Sequence, residues 1–202
     1  MKNLCYFAAY KPYGMISQFT PECEGDITLS SLFSFPSDVY PVGRLDKDSE
    51  GLLILTNDPK INSTILNPLN KCVKTYWVQV DGNADDDFIK KISQGVKIKL
   101  KDKFYNTLPC EVKVIQGDIK VPERNPPVRI RKQIPTTWLE IKLKEGKNRQ
   151  IRKMCSSLGH PVLRIIRIAV GNLNLGNLLP GETKPLSRPE IFAKIDINNA
   201  YI

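Results

Sequence analysis

The sequence predicts an α+β fold, and three observations carry that expectation. Short strands and short helices alternate without the regular rhythm of a wound strand–helix–strand fold. Several strands show period-two alternation: Tyr76, Val78 and Val80 fall on one face, and Thr75, Trp77 and Gln79 on the other. No linker is long or flexible enough to separate independent domains, so the 202 residues are expected to form a single domain, 1–202. A chain of this length buries about 70% of its unfolded surface. Its 41% apolar and 25% charged residues are those of an ordinary globular protein and exclude a disordered or collagen-like chain. Its apolar runs fall far short of the ~20 residues of a membrane-spanning helix.

Strands are predicted over 4–10, 51–56, 75–81, 96–100, 110–115, 137–143 and 162–168. The first could pass for a secretion signal, since Lys2 is followed by LCYFAAY. Lys11-Pro12 ends that run, and no small-residue cleavage site follows, so a strand is the better reading. Asp58-Pro59 reads as the cap and first residue of a helix whose face is Ile61, Ile65 and Leu66, stopped by Asn67-Pro68. Asp85 or Asp86 caps a second helix carrying Phe88, Ile89 and Ile92. A third is predicted over 148–158, where Ile151, Met154, Cys155 and Leu158 share a stripe closed by Gly159. Residues 122–135, with four prolines and four basic side chains, read as an extended surface loop.

The 30 Lys and Arg against 21 Asp and Glu give a net charge of +9 and a pI near 9.3. Residues 120–167 hold thirteen basic and three acidic side chains, so nearly all the excess lies there. Such a patch suggests a polyanion, nucleic acid before membrane. A solvated basic face is the competing reading. The five cysteines are odd in number, lack any CxxC spacing and read as free thiols of a reduced, cytoplasmic protein, with Cys110 and Cys155 buried. The lone His160 leaves little for a histidine metal site or catalytic triad, and no metal site is expected.

The densest segment runs from Gly43 to Gly51, GRLDKDSEG, straight into the apolar LLILTND. A carboxylate at the mouth of a buried strand is a place for a nucleophile or general base. Asp46, Asp48 and Glu50 can also be read as acid/base carboxylates, and their spacing does not decide between them. A plain solvated turn competes with both, and composition alone favours it. In the third helix Arg152 borders the apolar stripe, where its stem can lie on the core while the guanidinium reaches outward. Arg149 points away from the stripe, and with Lys147 and Lys153 is placed for phosphates.

GRLDKDSEGLLILTND, GKNRQIRKM and RIAVGNLNLGNLLPGE, with Lys11-Pro12-Tyr13-Gly14 and Lys74-Thr75-Tyr76, strongly resemble the RsuA-type pseudouridine synthases of ribosomal RNA. The strings keep their order over about residues 4–188. Many members begin with an S4-type RNA-binding domain, for which this sequence has no room before Lys11. That feature, with QFT at 18–20, RNPPVR at 124–129 and IPTTWL at 134–139, points to the members that act on large-subunit, 23S, RNA.

The resemblance implies a mixed, largely antiparallel sheet in two halves flanking a basic catalytic cleft. It also implies the reaction. The N-glycosidic bond of a uridine is broken, the base rotates, and C5 is joined to C1′, with no cofactor and no metal. Asp46 matches the nucleophile. Tyr76 matches the tyrosine that stacks on the target base and moves a proton. Arg152 matches the arginine paired with the aspartate, and a paired cation keeps a carboxylate charged where water is scarce. Arg44 matches a residue that helps hold the base out of its stack, a step costing a few kcal/mol. Ile168 matches the pocket wall. Arg129, Arg131 and Lys132 join Arg149, Lys147 and Lys153 as expected RNA contacts. Lys184 stands where an arginine is common, and Lys147 where the family often shows an arginine or another residue.

The expected partner is ribosomal RNA, with no membrane, and the expected state is a monomer. A non-catalytic RNA-binding or ribosome-assembly protein on the same fold would have no need of Asp46, Tyr76 and Arg152 together. An RNA methyltransferase would need a glycine-rich cofactor loop, which the sequence lacks.

Overall fold

A computed structural model describes residues 3–129 and 134–195. In chain order its strands and α-helices are β1 (Tyr6–Lys11), β2 (Tyr40–Pro41), β3 (Glu50–Thr56), α1 (Pro59–Leu66), β4 (Lys74–Asp81), α2 (Asp86–Ser93), β5 (Lys97–Leu100), β6 (Lys103–Asn106), β7 (Glu111–Val114), β8 (Thr136–Leu143), α3 (Gln150–Ser157), β9 (Val162–Val170), β10 (Leu173–Asn174), β11 (Thr183–Pro185) and α4 (Arg188–Ile195). The chain divides into two compact units. The first takes the chain up to Cys72 and again from Ile166 onward, and the second spans Val73–Ile165.

In the first unit β1 pairs antiparallel with β3, from Tyr6↔Thr56 to Lys11↔Gly51. β11 lies on the other edge of β1, with Ala8 opposite Lys184. The end of β9 runs parallel to the start of β3, with Gly51 opposite Arg167, and β10 folds back on β9. β3 is buried throughout, and apolar from Leu52 to Leu55, because both of its faces are covered. On one side Tyr6, Ala8, Leu52 and Ile54 pack with Ile61 and Ile65 of α1 and with Ile191 and Ile195 of α4. On the other, Phe7, Ala9, Leu53 and Leu55 meet Met15, Leu29 and Val39.

α1 starts as predicted. The Asp58 carboxylate accepts from the Lys60 N–H at 2.9 Å and from the Tyr6 hydroxyl at 2.8 Å. Burial and that carboxylate push the Tyr6 phenol up to about 12. Leu66 is the exception, exposed at the end of the helix.

In the second unit β4 pairs with β8 along its whole length, from Lys74↔Leu143 to Asp81↔Thr136, and β7 lies on the far edge of β8. Val78, Val80, Leu139 and Ile141 form a core with Phe88 and Ile92 of α2 and with Ile151, Met154 and Cys155 of α3. Asp85, rather than Asp86, caps α2, its carboxylate accepting from the Phe88 N–H at 2.8 Å. β5 and β6 form a separate two-stranded ribbon. His160 is structural: Nδ1 lies 3.0 Å from the Asp81 carbonyl and the ring packs on Phe88.

All the strand pairs described are antiparallel except β3 with β9. The mixed, largely antiparallel α+β class is as expected. The third helix is shorter than predicted, which changes one residue's setting. Arg149 is not on the helix; it is the residue before it, in a left-handed backbone conformation at φ 51°. All five cysteines remain thiols. Burial pushes the Cys155 thiol up to about 12 and the half-buried Cys110 up to about 11, which keeps both protonated and unreactive. No helix among the described residues is long and apolar enough to cross a membrane.

Candidate active site

Asp46 sits half-buried in a tight turn of the first unit, where the Ser49 N–H donates to its carbonyl at 3.0 Å. The turn is fixed from both sides. Leu45 is buried and exchanges two hydrogen bonds with Ser17: its N–H donates to Oγ at 3.0 Å, and the hydroxyl donates to its carbonyl at 2.7 Å. The Gly14 N–H donates to the Lys47 carbonyl at 2.8 Å, and Lys47 Nζ bonds Asp26 at 2.6 Å. Just beyond the turn, Gly51 lies against β9. A Cβ there would stand 2.3 Å from the Arg167 carbonyl oxygen, and φ is +104°, so only glycine fits. The loop is thus a held platform and not a loosely solvated turn.

Lys11 and Arg167 are buried cations of this platform to which sequence patterns assign no role. Lys11 is fully buried and donates to the carbonyls of Pro12 at 2.9 Å and Met15 at 2.7 Å. Arg167 Nε donates to the Leu52 carbonyl at 2.7 Å. Burial pushes the Lys11 ammonium down to about 7, against the pull of Glu50, Asp48 and Asp46, which favour its charged form. A lysine closing an apolar strand is the available signal, but the strand's partners lie far along the chain.

The Lys11 shift fixes the sign of a pH effect. Between about 7 and the ordinary 10.5, folded Lys11 binds fewer protons than the unfolded chain. Stability therefore rises with pH through that window, and the cost of burying the ammonium is complete below it. Lys11→Met should lose this slope, which reaches up to ~1.4 kcal/mol per pH unit. Unfolding free energies measured from pH 6 to 10 check this, and identical slopes for the two proteins would refute it.

The remaining first-unit residues are placed as follows. Arg44 is exposed, with Nη2 3.4 Å from Gln18 Oε1 and 3.5 Å from Glu22 Oε1. Ile168 is half-buried in β9, its carbonyl accepting from the Leu175 N–H at 2.8 Å. Lys184 reaches Glu190 at 3.5 Å.

In the second unit Tyr76 is half-buried on β4, opposite Ile141 and on the Val78–Val80 face as predicted. Arg152 is half-buried on α3, and its Nη1 donates to the Val162 carbonyl at 3.2 Å. Arg149 and Lys147 are exposed, while Lys153 is half-buried with Nζ 3.5 Å from Asn148 Oδ1. The organiser of this basic loop is Gln150, a residue that no sequence motif singles out for that role. It is buried, donates to Glu145 at 2.6 Å and accepts from the Lys147 N–H at 2.9 Å. Its one sequence signal is a polar residue on the inward side of the helix start.

Arg129 is exposed, and the residues before it are held by Arg124, which bonds the carbonyls of Pro126, Pro127 and Leu163. Arg131 and Lys132 lie outside the described residues. Among the described residues no three His, Cys, Asp or Glu side chains gather as metal ligands would.

The fold is that of a pseudouridine synthase. A crystal structure of a pseudouridylate synthase superposes with a TM-score of 0.77 at 23% identity, covering 96% of this chain and 75% of that one. The family model for RNA pseudouridylate synthase matches residues 5–157. The chain is 47% identical over 176 residues to ribosomal large subunit pseudouridine synthase E of Vibrio parahaemolyticus, covering 87% of this chain and 71% of that protein. Its identity to the protein of the same name from Xanthomonas campestris is 41% over 172 residues, 85% of this chain and 90% of that one. Ribosomal large subunit pseudouridine synthase B of Bacillus subtilis is 30% identical over 186 residues, 92% of this chain and 69% of that one. The chain belongs to the RNA pseudouridylate synthase family and is an enzyme of that class.

Proposed function

We propose that this enzyme converts one uridine of large-subunit ribosomal RNA to pseudouridine, acting as a cytoplasmic monomer without cofactor or metal. The observation that carries this reading is the held turn that presents Asp46 at the mouth of the buried strand β3, in a chain 47% identical to a large-subunit enzyme over 87% of its length. In this reading Asp46 attacks the nucleotide, and the N1–C1′ bond breaks. The freed base turns, C5 bonds to C1′ as the Asp46 carboxylate is released, the C5 hydrogen leaves to solvent as a proton, and N1 takes a proton. Tyr76 stacks on the base and assists the proton movement. Arg152 acts as the charge partner of Asp46, Arg44 supports the extruded nucleotide, and Ile168 walls the pocket.

The test is a map of pseudouridines in large-subunit RNA from cells with and without the gene. One uridine should remain unmodified in its absence, and an unchanged map would overturn the reading.

Arg149, Lys147, Lys153, Arg129, Arg131 and Lys132 meet phosphates in this account. Neutralising Arg129, Arg131 and Lys132 together should weaken RNA binding. It should also reduce the slope of log K against log salt by ~0.7–0.9 for each phosphate no longer neutralised. A titration series from low to moderate salt measures this, and an unchanged slope would remove the loop from the interface.

A further inference from the structure

The β5–β6 ribbon has two unlike faces. Its register sets Ile98 opposite Tyr105 and Lys99 opposite Phe104. Ile98 is buried and Tyr105 half-buried, and both pack into the core of the second unit. The outer face carries Lys97, Lys99, Phe104 and Asn106, all exposed. Phe104 keeps 65% of its surface in water. Burying a phenylalanine is worth about 1.5–3 kcal/mol, a gain this position forgoes. Lys97 Nζ stands 4.6 Å from the Phe104 ring centre. From Lys97 to Lys103 the chain holds four lysines and one aspartate, outside the 120–167 segment that dominates the charge.

The ribbon is also fastened to the basic loop before α3. The Tyr105 hydroxyl donates to Glu145 at 2.6 Å, and Glu145 also accepts from the Leu108 N–H at 2.9 Å. Lys147 Nζ lies 4.8 Å from the Tyr105 ring centre. Within the second unit these contacts tie the basic loop to the inner face of the ribbon, while Phe104 stands among Lys97 and Lys99 on its outer face.

We propose that the outer face of β5–β6 is a further RNA-contact site, which takes an unpaired nucleotide: its base stacks on Phe104 and the flanking phosphates meet Lys97 and Lys99. The inference rests on the RNA-directed function above. An exposed aromatic ring among cations is the arrangement that holds single strands, because every base has a face to stack and every nucleotide a phosphate. One ring among lysines is a small apolar surface for a protein partner. A duplex keeps its base faces stacked and cannot use the ring.

The test compares the wild-type chain with Phe104→Ala, Phe104→Leu, Phe104→Trp and Lys97→Gln/Lys99→Gln. The probes are an unstructured oligouridylate and an RNA duplex of equal length. Phe104→Ala and Phe104→Leu should each weaken oligouridylate binding about 5- to 150-fold, the equivalent of the ~1–3 kcal/mol of one stacked base, with an unchanged salt slope. Phe104→Trp should bind at least as tightly as wild type. Duplex binding should stay within about twofold for all three. The double lysine variant should flatten the single-strand salt slope by ~0.7 for each phosphate left unpaired.

Leucine keeps the apolar bulk but has no aromatic face, so wild-type affinity in Phe104→Leu would overturn the stacking assignment. Equal losses on both probes would overturn it as well. These are equilibrium binding measurements and do not depend on turnover. A wild-type protein that binds oligouridylate through Phe104 but leaves the pseudouridine map unchanged would refute the proposed function and not this site.

Discussion

Asp46→Asn should form no measurable pseudouridine, a loss of ~10⁴-fold or more, while the protein folds and binds RNA nearly as well as before. The amide matches the carboxylate in size, and the turn is held by other groups. The Ser17–Leu45 exchange, the Gly14–Lys47 bond and the Lys47–Asp26 pair do not involve the Asp46 side chain. What the substitution removes is the negative charge and with it the nucleophile. Single-turnover assays at saturating protein separate this effect from any change in affinity. Turnover within tenfold of wild type would take Asp46 out of the mechanism.

Arg152 and Arg149 should separate by role. Arg152 is half-buried on α3, with its guanidinium donating to the Val162 carbonyl. Arg149 is exposed, one residue before the helix begins. Arg152→Met keeps much of the apolar stem and removes the cation. It should lower the single-turnover rate by ~10²–10³-fold, the usual cost of losing one charge-stabilising group in an active site, and change RNA affinity far less. Arg152→Lys should recover part of the rate, since it restores charge but not the planar fork. Arg149→Met should mainly weaken binding, by an amount that shrinks as salt rises. If both variants lose rate and affinity in the same proportions, the assignment fails.

Much of this architecture is written locally in the chain. Asp58-Pro59 announces the start of α1, and the carboxylate does cap it. The apolar LLILT marks a strand buried on both faces. α4 is hidden from such reasoning because only Ile191 and Ile195 are fully buried, with Phe192 partly covered beside them, and because Pro185 and Pro189 suggest a loop. β6 is hidden because Lys103-Phe104-Tyr105-Asn106 buries no complete face.

Periodicity places Arg149 on the helix because it does not register the left-handed backbone that precedes the first turn. The deeper limits are contacts across the sequence. Nothing near Gly51 shows that the Arg167 backbone will press on it, nor that Lys11 will be buried beside the pull of Asp46, Asp48 and Glu50. Composition favours a solvated turn at 43–51, and only the ordered likeness of whole motifs points to Asp46.

The central claim is that this chain rearranges uridine with Asp46 as nucleophile and no added cofactor, and the rearrangement replaces the C5–H bond with C5–C1′. The direct measurement uses RNA and precursor particles from cells lacking the gene, labelled with tritium at uridine C5 and incubated with purified protein in chelator. The account predicts release of tritium to water that levels off at a single uridine per RNA molecule, with none from Asp46→Asn. No release from either substrate, or release that continues in the Asp46→Asn protein, would contradict it.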